Sequence, residues 1–273
     1  MAFISAADGT RLYWHEWGEG APILFLSSLG LASQMWQYQM VAFAERGFRC
    51  ICFDRRGHGR SDQPRHGYDC DTLANDVATL IEDLDLSGLT LVGHSMASGE
   101  IVRYLSRHGD SRVARVILLG STTPMLRQAE DNPNGMPAAQ RDALWAQWKR
   151  DYPRWVAENT APFFVPETSP ALMGWLSNLL QQIPLPVALA CNRAMVDEDF
   201  RREMREIELP VLLIHGDRDR SAPLEITARA AARLLPNCRL IVYEGAPHGL
   251  IYTHTERLHE DMLKFIAETE QTR

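Results

Sequence analysis

Six short apolar runs recur along this chain, and stretches of helical periodicity separate them. The runs are residues 23–26, 48–53, 89–92, 113–119, 211–214 and 240–243. Several are apolar throughout or nearly so, the pattern of parallel strands covered on both faces. The separating stretches are 36–46, 72–85, 100–107, 223–235 and 256–268. In 72–85, Leu73, Val77, Leu80, Ile81 and Leu84 fall on one helical face. Such alternation predicts an α/β fold with a mostly parallel, doubly wound sheet and right-handed crossovers. Ahead of it, 3–6 and 12–17 flank Asp8-Gly9 and read as a β-hairpin.

The alternation breaks between residues 121 and 208. This stretch holds nine of the fifteen prolines, four of the seven tryptophans (Trp145, Trp148, Trp155 and Trp175) and Phe163-Phe164. No strand pattern stands out in it, while 138–149 and 171–182 look helical. The expected organisation is a core of 1–120 and 209–273 with a helical cap, 121–208, inserted over the strand ends. Any single aromatic there is more simply core than ligand contact. Together, however, they would wall a cleft at the carboxyl ends of the strands, where ligands bind in sheets of this kind.

The densest chemical signal is Leu89-Thr-Leu-Val-Gly-His-Ser95-Met-Ala-Ser-Gly-Glu100. An apolar run ends in Gly93, a serine occupies the bend, and small residues open a helix. A tight turn of this kind lifts Ser95 Oγ clear of the sheet edge. A serine hydroxyl is a weak nucleophile at neutral pH and needs a base, which in turn needs an orienting partner. The base is expected at His248, in the loop Gly245-Ala-Pro-His-Gly249. The acid is Asp217 or Asp219, after the run 211–214. Asp219 is preferred because it lies further past the strand end, and Asp217 would bond turn N–H groups. His94 should point away from Ser95 O–H chemistry, and His215 should lie within a strand. An oxyanion needs two preorganised donors. The backbone N–H groups of Met96 and Leu29 are the expected pair, leaving the Leu29 and Met96 side chains to shape the acyl pocket.

Two other motifs draw milder readings. Asp54-Arg-Arg-Gly-His-Gly-Arg-Ser-Asp62 is glycine-rich, but it lacks the lysine-serine ending of a phosphate loop and reads as a structural turn. His215-x-Asp217-x-Asp219 has metal-like spacing without further ligands, so no metal and no cofactor are expected.

Composition narrows the partners. A net charge of −7 argues against nucleic acid and against strongly anionic substrates. The five cysteines are odd in number and show no Cys-x-x-Cys, which fits buried thiols in a reducing cytoplasm. The first residues lack a basic region followed by a long apolar one, so no secretion signal and no membrane partner are expected. Oligomeric state is not legible.

With these motifs in register, the chain resembles the α/β-hydrolases over essentially its whole length. More narrowly it is similar to the bacterial aryl esterases, also called cofactor-free haloperoxidases or perhydrolases, and to their γ-lactamase relatives. The residues that carry this are Asp54-Arg-Arg-Gly-His-Gly-Arg-Ser-Asp-Gln-Pro64, Glu100-Ile-Val-Arg-Tyr-Leu-Ser-Arg-His-Gly109 and Ala246-Pro-His-Gly249 with Thr253-His254. The resemblance implies a triad of Ser95, Asp219 and His248. Two departures stand out. Ser27-Ser28 occupies the place of His-Gly, and Met96-Ala97-Ser98 the place of Met-Gly-Gly. Ser28-Leu-Gly30 is similar instead to the enol-lactone hydrolases. The expected activity is hydrolysis of small apolar or aromatic esters, with a lactone or lactam as the alternative substrate. A fold that has lost catalysis is the remote alternative, since no triad member is missing.

Overall fold

A computed structural model describes residues 2–270. Residue 1 and residues 271–273, the outer ends of the expected core segments, lie outside it. Eight strands form one sheet in the order β1-β2-β4-β3-β5-β6-β7-β8. They are β1 (Ala2–Ser5), β2 (Arg11–Trp17), β3 (Ala21–Leu26), β4 (Phe48–Phe53), β5 (Leu89–His94), β6 (Val113–Leu119), β7 (Val211–Gly216) and β8 (Cys238–Tyr243). β1 and β2 form the expected hairpin and attach antiparallel to β4, and the six remaining strands run parallel.

Both faces of the parallel strands are covered. In β3, Ile23 and Phe25 point into one apolar layer while Leu24 and Leu26 point into the other. The first layer includes Trp36, Phe43, Met262 and Phe265 from the side of α1 (Gln37–Ala44) and α10 (Thr255–Glu270). The second includes Val77, Leu80 and Ile81 of α2 (Cys70–Asp83) and Ile101 of α3 (Ala97–His108). Each fully buried aliphatic side chain contributes roughly 1.5–3 kcal/mol against exposure. The strand alternation therefore fixes which helices lie on which face. Asp69 sets the start of α2, its carboxylate accepting from Thr72 N–H at 2.9 Å.

The strand order also fixes where a site can form. From β3 the chain crosses to β4 on one side, then returns past β3 to β5 on the other. The crevice at such a reversal opens at the carboxyl ends of β3 and β5. Residues 27–30 and Ser95 follow those two ends.

Between β6 and β7 the chain is helical: α4 (Ala138–Asn159), α5 (Pro170–Leu180), α6 (Leu185–Asp197) and α7 (Arg201–Arg205). α4 is two helices in tandem. Asp151 is non-helical (φ −162°, ψ 83°) and its carboxylate accepts from Arg154 N–H at 3.0 Å, capping the second piece, which tolerates Pro153 in its first turn. α7 is packed with the core: Met204 and the preceding Phe200 are buried in the α2–α3 layer, and Phe200 lies against Gly99. One sequence expectation fails here. Residues 223–235 are not one helix, and only α8 (Ala228–Ala232) is α-helical. Asp219 Oδ1 takes the N–H groups of Ser221 and Ala222, and Thr227 Oγ1 donates back to the Ala222 and Pro223 carbonyls. Those local bonds compete with a regular ladder. The last elements are α9 (Leu250–Thr253) and α10. Among the described residues no helix is long and apolar enough to cross a membrane.

Candidate active site

The turn after β5 forces Ser95 to φ +58°, a left-handed backbone that non-glycine residues rarely adopt. Its surroundings over-determine that conformation. Ser95 N–H donates to Leu119 O at 2.9 Å, while its carbonyl accepts from Ser98 N–H, Ser98 Oγ–H and Thr122 Oγ–H. A Cβ on Gly93 would stand 2.7 Å from Ile101 Cδ1 and 3.2 Å from the Ala97 carbonyl carbon, so the glycine lets helix and strand meet without displacing either. At Ala97 one methyl is accommodated, fully buried.

Three side chains from three loops converge. Ser95 Oγ–H donates to His248 Nε2 at 2.9 Å, and His248 Nδ1–H donates to Asp219 Oδ2 at 2.6 Å. This tautomer follows from the network, since a carboxylate only accepts. Asp219 Oδ1 accepts from the N–H groups of Ser221 (2.9 Å) and Ala222 (2.8 Å), and His215 Nε2 lies 3.3 Å from Oδ2. Burial opposes its ionisation, but His248 and the bonds from His215 and His248 outweigh it and hold the carboxyl well below the usual range. Asp217 takes a different part: exposed, it accepts from Gly245 N–H at 2.7 Å in the neighbouring turn.

Sequence reasoning missed the supports of His248. His94, expected only to point away, donates from Nε2 to the His248 carbonyl at 2.9 Å, and the two rings lie 4.7 Å apart. Burial, then the neighbouring His248, depress its pKa to about 3, so it stays neutral. Gly120 (φ +52°) passes under the same ring, where a Cβ would stand 3.2 Å from His248 Nδ1. On the other side Gly249 N–H donates to Phe163 O at 3.2 Å, and a Cβ there would overlap that oxygen.

The loop after β3 is gripped from outside. Ser28 N–H donates to Met35 Sδ and Gly30 N–H to His58 Nε2, both at 3.2 Å. Arg55 donates to the Ser27 carbonyl at 2.5 Å and the Ser28 carbonyl at 3.3 Å, and its Nε bonds Glu100 at 2.7 Å. Among the described residues, the Leu29 and Met96 N–H groups between these fixed points have no protein acceptor. His58 Nδ1–H donates to Arg56 O at 3.1 Å, and burial, then Arg55, lower its pKa to about 3. It therefore remains an acceptor for Gly30. The 54–62 turn is structural, as its sequence suggests, and it also reaches the loop beside Ser95. The signal for this was Arg55 itself, a cation in a buried-looking segment with Glu100 on the helix after Ser95.

Above these groups lies a cavity of about 530 Å³. Its walls include Leu29, Leu126, Leu144, Trp148, Trp155 and Phe163. Arg220 is the one arginine lining it among the described residues, and no lysine, aspartate or glutamate does so. Only two of the four tryptophans take part. Trp175 packs on Tyr38 and Tyr252, and Trp145 donates to Asn192. Met96 departs from expectation: its side chain does not line the cavity but is buried in the cluster of Trp148, Tyr152 and Val187, of which Trp148 and Tyr152 do line it.

The elbow, the parallel sheet and the order of these residues define the α/β-hydrolase class. Residues 21–172 match the family described as alpha/beta hydrolase fold, and the chain belongs to it. It is 36% identical over 284 residues to a non-heme chloroperoxidase of Streptomyces lividans, covering 97% of this chain and 99% of that protein. It is 34% identical over 278 residues to a bifunctional esterase/perhydrolase of Acinetobacter calcoaceticus, with 97% and 99% covered. The solved structure of an esterase from Exiguobacterium antarcticum superposes with a TM-score of 0.94 at 33% identity, covering 97% and 99%. The likeness read from the sequence motifs is thus to the right relatives.

Proposed function

We propose that the protein is a serine hydrolase of small carboxylic esters whose acyl or alcohol group is apolar or aromatic. The observation that carries this is His248, bonded at once to Ser95 Oγ and Asp219 Oδ2. Ser95 Oγ attacks the ester carbonyl as His248 Nε2 takes its proton, and Asp219 stabilises the imidazolium. The tetrahedral oxyanion accepts from the Met96 and Leu29 N–H groups. His248 then returns the proton to the departing alcohol, leaving an acyl group on Ser95. A water, deprotonated by His248, attacks that acyl group, and collapse releases the acid with the proton back on Ser95. Residues 121–208 serve as a cap over a core of 1–120 and 209–273, and α4 to α6 supply the substrate-facing wall.

The apolar lining supports burial rather than ion pairing as the source of affinity. A lactone fits the same machinery, and the Ser27-Ser28-Leu29-Gly30 loop favours it as the second reading. The test is a panel of p-nitrophenyl esters from acetate to dodecanoate beside γ-butyrolactone and an enol-lactone, with Ser95→Ala as control. Ester turnover lost in the variant is expected. Turnover of rings alone would move the assignment to a lactonase, and turnover unchanged by Ser95→Ala would overturn the mechanism.

A further inference from the structure

One polar side chain in the wall of the cavity is fixed in orientation and left half unused. Asn192, on α6, is 5% exposed and lines the cavity. Its Oδ1 accepts from Trp145 Nε1–H at 2.8 Å. An indole nitrogen only donates, so this bond decides which end of the amide is which. Nδ2 is left with no protein acceptor, and it is not sealed off from open space. The indole is itself held: the Arg141 and Arg193 guanidiniums lie over its ring at 4.8 and 4.9 Å. Arg141 is pinned further by Asp197 at 2.9 Å. A donor thus faces the chamber on a rigid support, with Leu144, Trp148, Met195 and Val196 lining it along with the amides of Gln140 and Gln147. A ligand oxygen that meets this donor gains a hydrogen bond, whereas a hydrocarbon that covers it leaves the donor buried and unpaired.

We infer that Asn192 Nδ2–H is a specificity group for substrates that carry a second, uncharged oxygen acceptor, a keto or ether oxygen, on the apolar part held under the cap. The inference rests on the reading of the cavity as an ester site. It adds that pure hydrocarbon chains are not the preferred occupants. A carboxylate is disfavoured because no lysine lines the chamber among the described residues and the one lining arginine, Arg220, lies on the loop after β7, on the core rather than on α6. A bond of this kind discriminates by position, since only one place along the substrate chain can meet Nδ2.

The experiment compares kcat/KM for phenyl heptanoate with its 4-, 5- and 6-keto derivatives, and for heptyl acetate with its 4-, 5- and 6-keto derivatives, positions at which the ketone does not activate the ester carbonyl. One keto position is expected to exceed its hydrocarbon parent about tenfold, the worth of one good hydrogen bond. In Asn192→Leu that ratio should fall to about one. Trp145→Phe/Asn192→Leu removes both partners together and serves if the single variant does not fold. A merely structural role would lower all members alike and leave the ratio intact. No favoured keto position in the unmodified protein, or a ratio that survives the loss of Asn192, would overturn the inference. Calorimetric binding of the matching keto-alkyl phenyl amides to Ser95→Ala needs no turnover. Tighter binding than to Ser95→Ala/Asn192→Leu would uphold the Asn192 assignment even if no ester were hydrolysed, in which case only the ester reading falls. Equal binding would sink it.

Discussion

The floor and the roof of the cavity are built by opposite means. The floor is directional. Ser95, His248, Asp219 and His94 on one side, and His58 and Arg55 with the 27–30 loop on the other, are held by hydrogen bonds at 2.5–3.3 Å, and Gly249 stands where a Cβ would overlap the Phe163 oxygen. The roof is mostly non-directional. Trp148 lies against Tyr152 and Trp155 at ring distances of 5.3 and 4.9 Å, and α5 and α6 add aliphatic side chains. Hydrogen bonds demand particular geometry, whereas apolar packing accepts any neighbours of the right volume. Under the proposed function, reaction geometry is held where displacement would be most damaging, and size selection is left to surfaces that tolerate change.

The sharpest way to break this contrast is at Ser95. Ser95→Ala should lower kcat/KM for a short aryl ester by about 10⁴-fold or more, since members of such a unit are not additive. A loss of only tenfold would mean that the floor does not carry the reaction. Next comes Arg55→Met, which strands Glu100 in the interior and should destabilise the fold by about 3–5 kcal/mol in urea denaturation. Where it folds, it should reduce kcat more than it raises KM, because the Ser27 and Ser28 carbonyls are released and the Leu29 N–H loses its aim. A KM effect alone would show that the Arg55 grip matters only to stability.

Acid tests the same region. His58 and His94 are neutral in the folded protein, with pKa values near 3, and would charge near 6.5 in an unfolded chain. Between those values the unfolded state binds more protons, so stability falls as pH drops from about 6.5 toward 3. Each histidine contributes roughly 1 kcal/mol per pH unit to that slope. Chemical denaturation at a series of pH values should show stability falling over this range, and His58→Gln should make the fall shallower by roughly 1 kcal/mol per pH unit. The smallest effect belongs to the roof. Trp155→Leu should raise KM for bulky aryl esters by about threefold to tenfold while leaving kcat within about twofold, the scale of partial loss of apolar contact. An equal fall in kcat would show that the roof also positions the reacting groups.

How much of this was legible in the sequence follows the same division. The strands announced themselves because parallel strands must be apolar on both faces. Ser95, Asp219 and His248 could be singled out because each sits where a strand ends in turn residues. Their supports could not, since a neutral buried histidine such as His94 leaves no periodic trace and its partner is a carbonyl 154 residues away. In the roof, α6 was not among the stretches that looked helical, and it starts at Pro184 and Pro186, residues that break a helix interior. They stand before and just inside the helix start, where the missing N–H costs nothing. Met96 was expected at the cavity from its place beside Ser95, but helix packing, not sequence adjacency, decides which way a side chain turns.

The bond from Gly249 to Phe163 sets a rule for recombining such proteins. Here the roof segment touches the loop that bears His248 through its own backbone, at the single turn Ala161–Phe163 between α4 and α5. A chimera that exchanges roofs between relatives would transplant that turn and unsettle the recipient's own loop beneath it. Crossovers that keep residues 160–164 with the recipient, and exchange only the helices on either side, would vary the chamber while the loop under it keeps its neighbour.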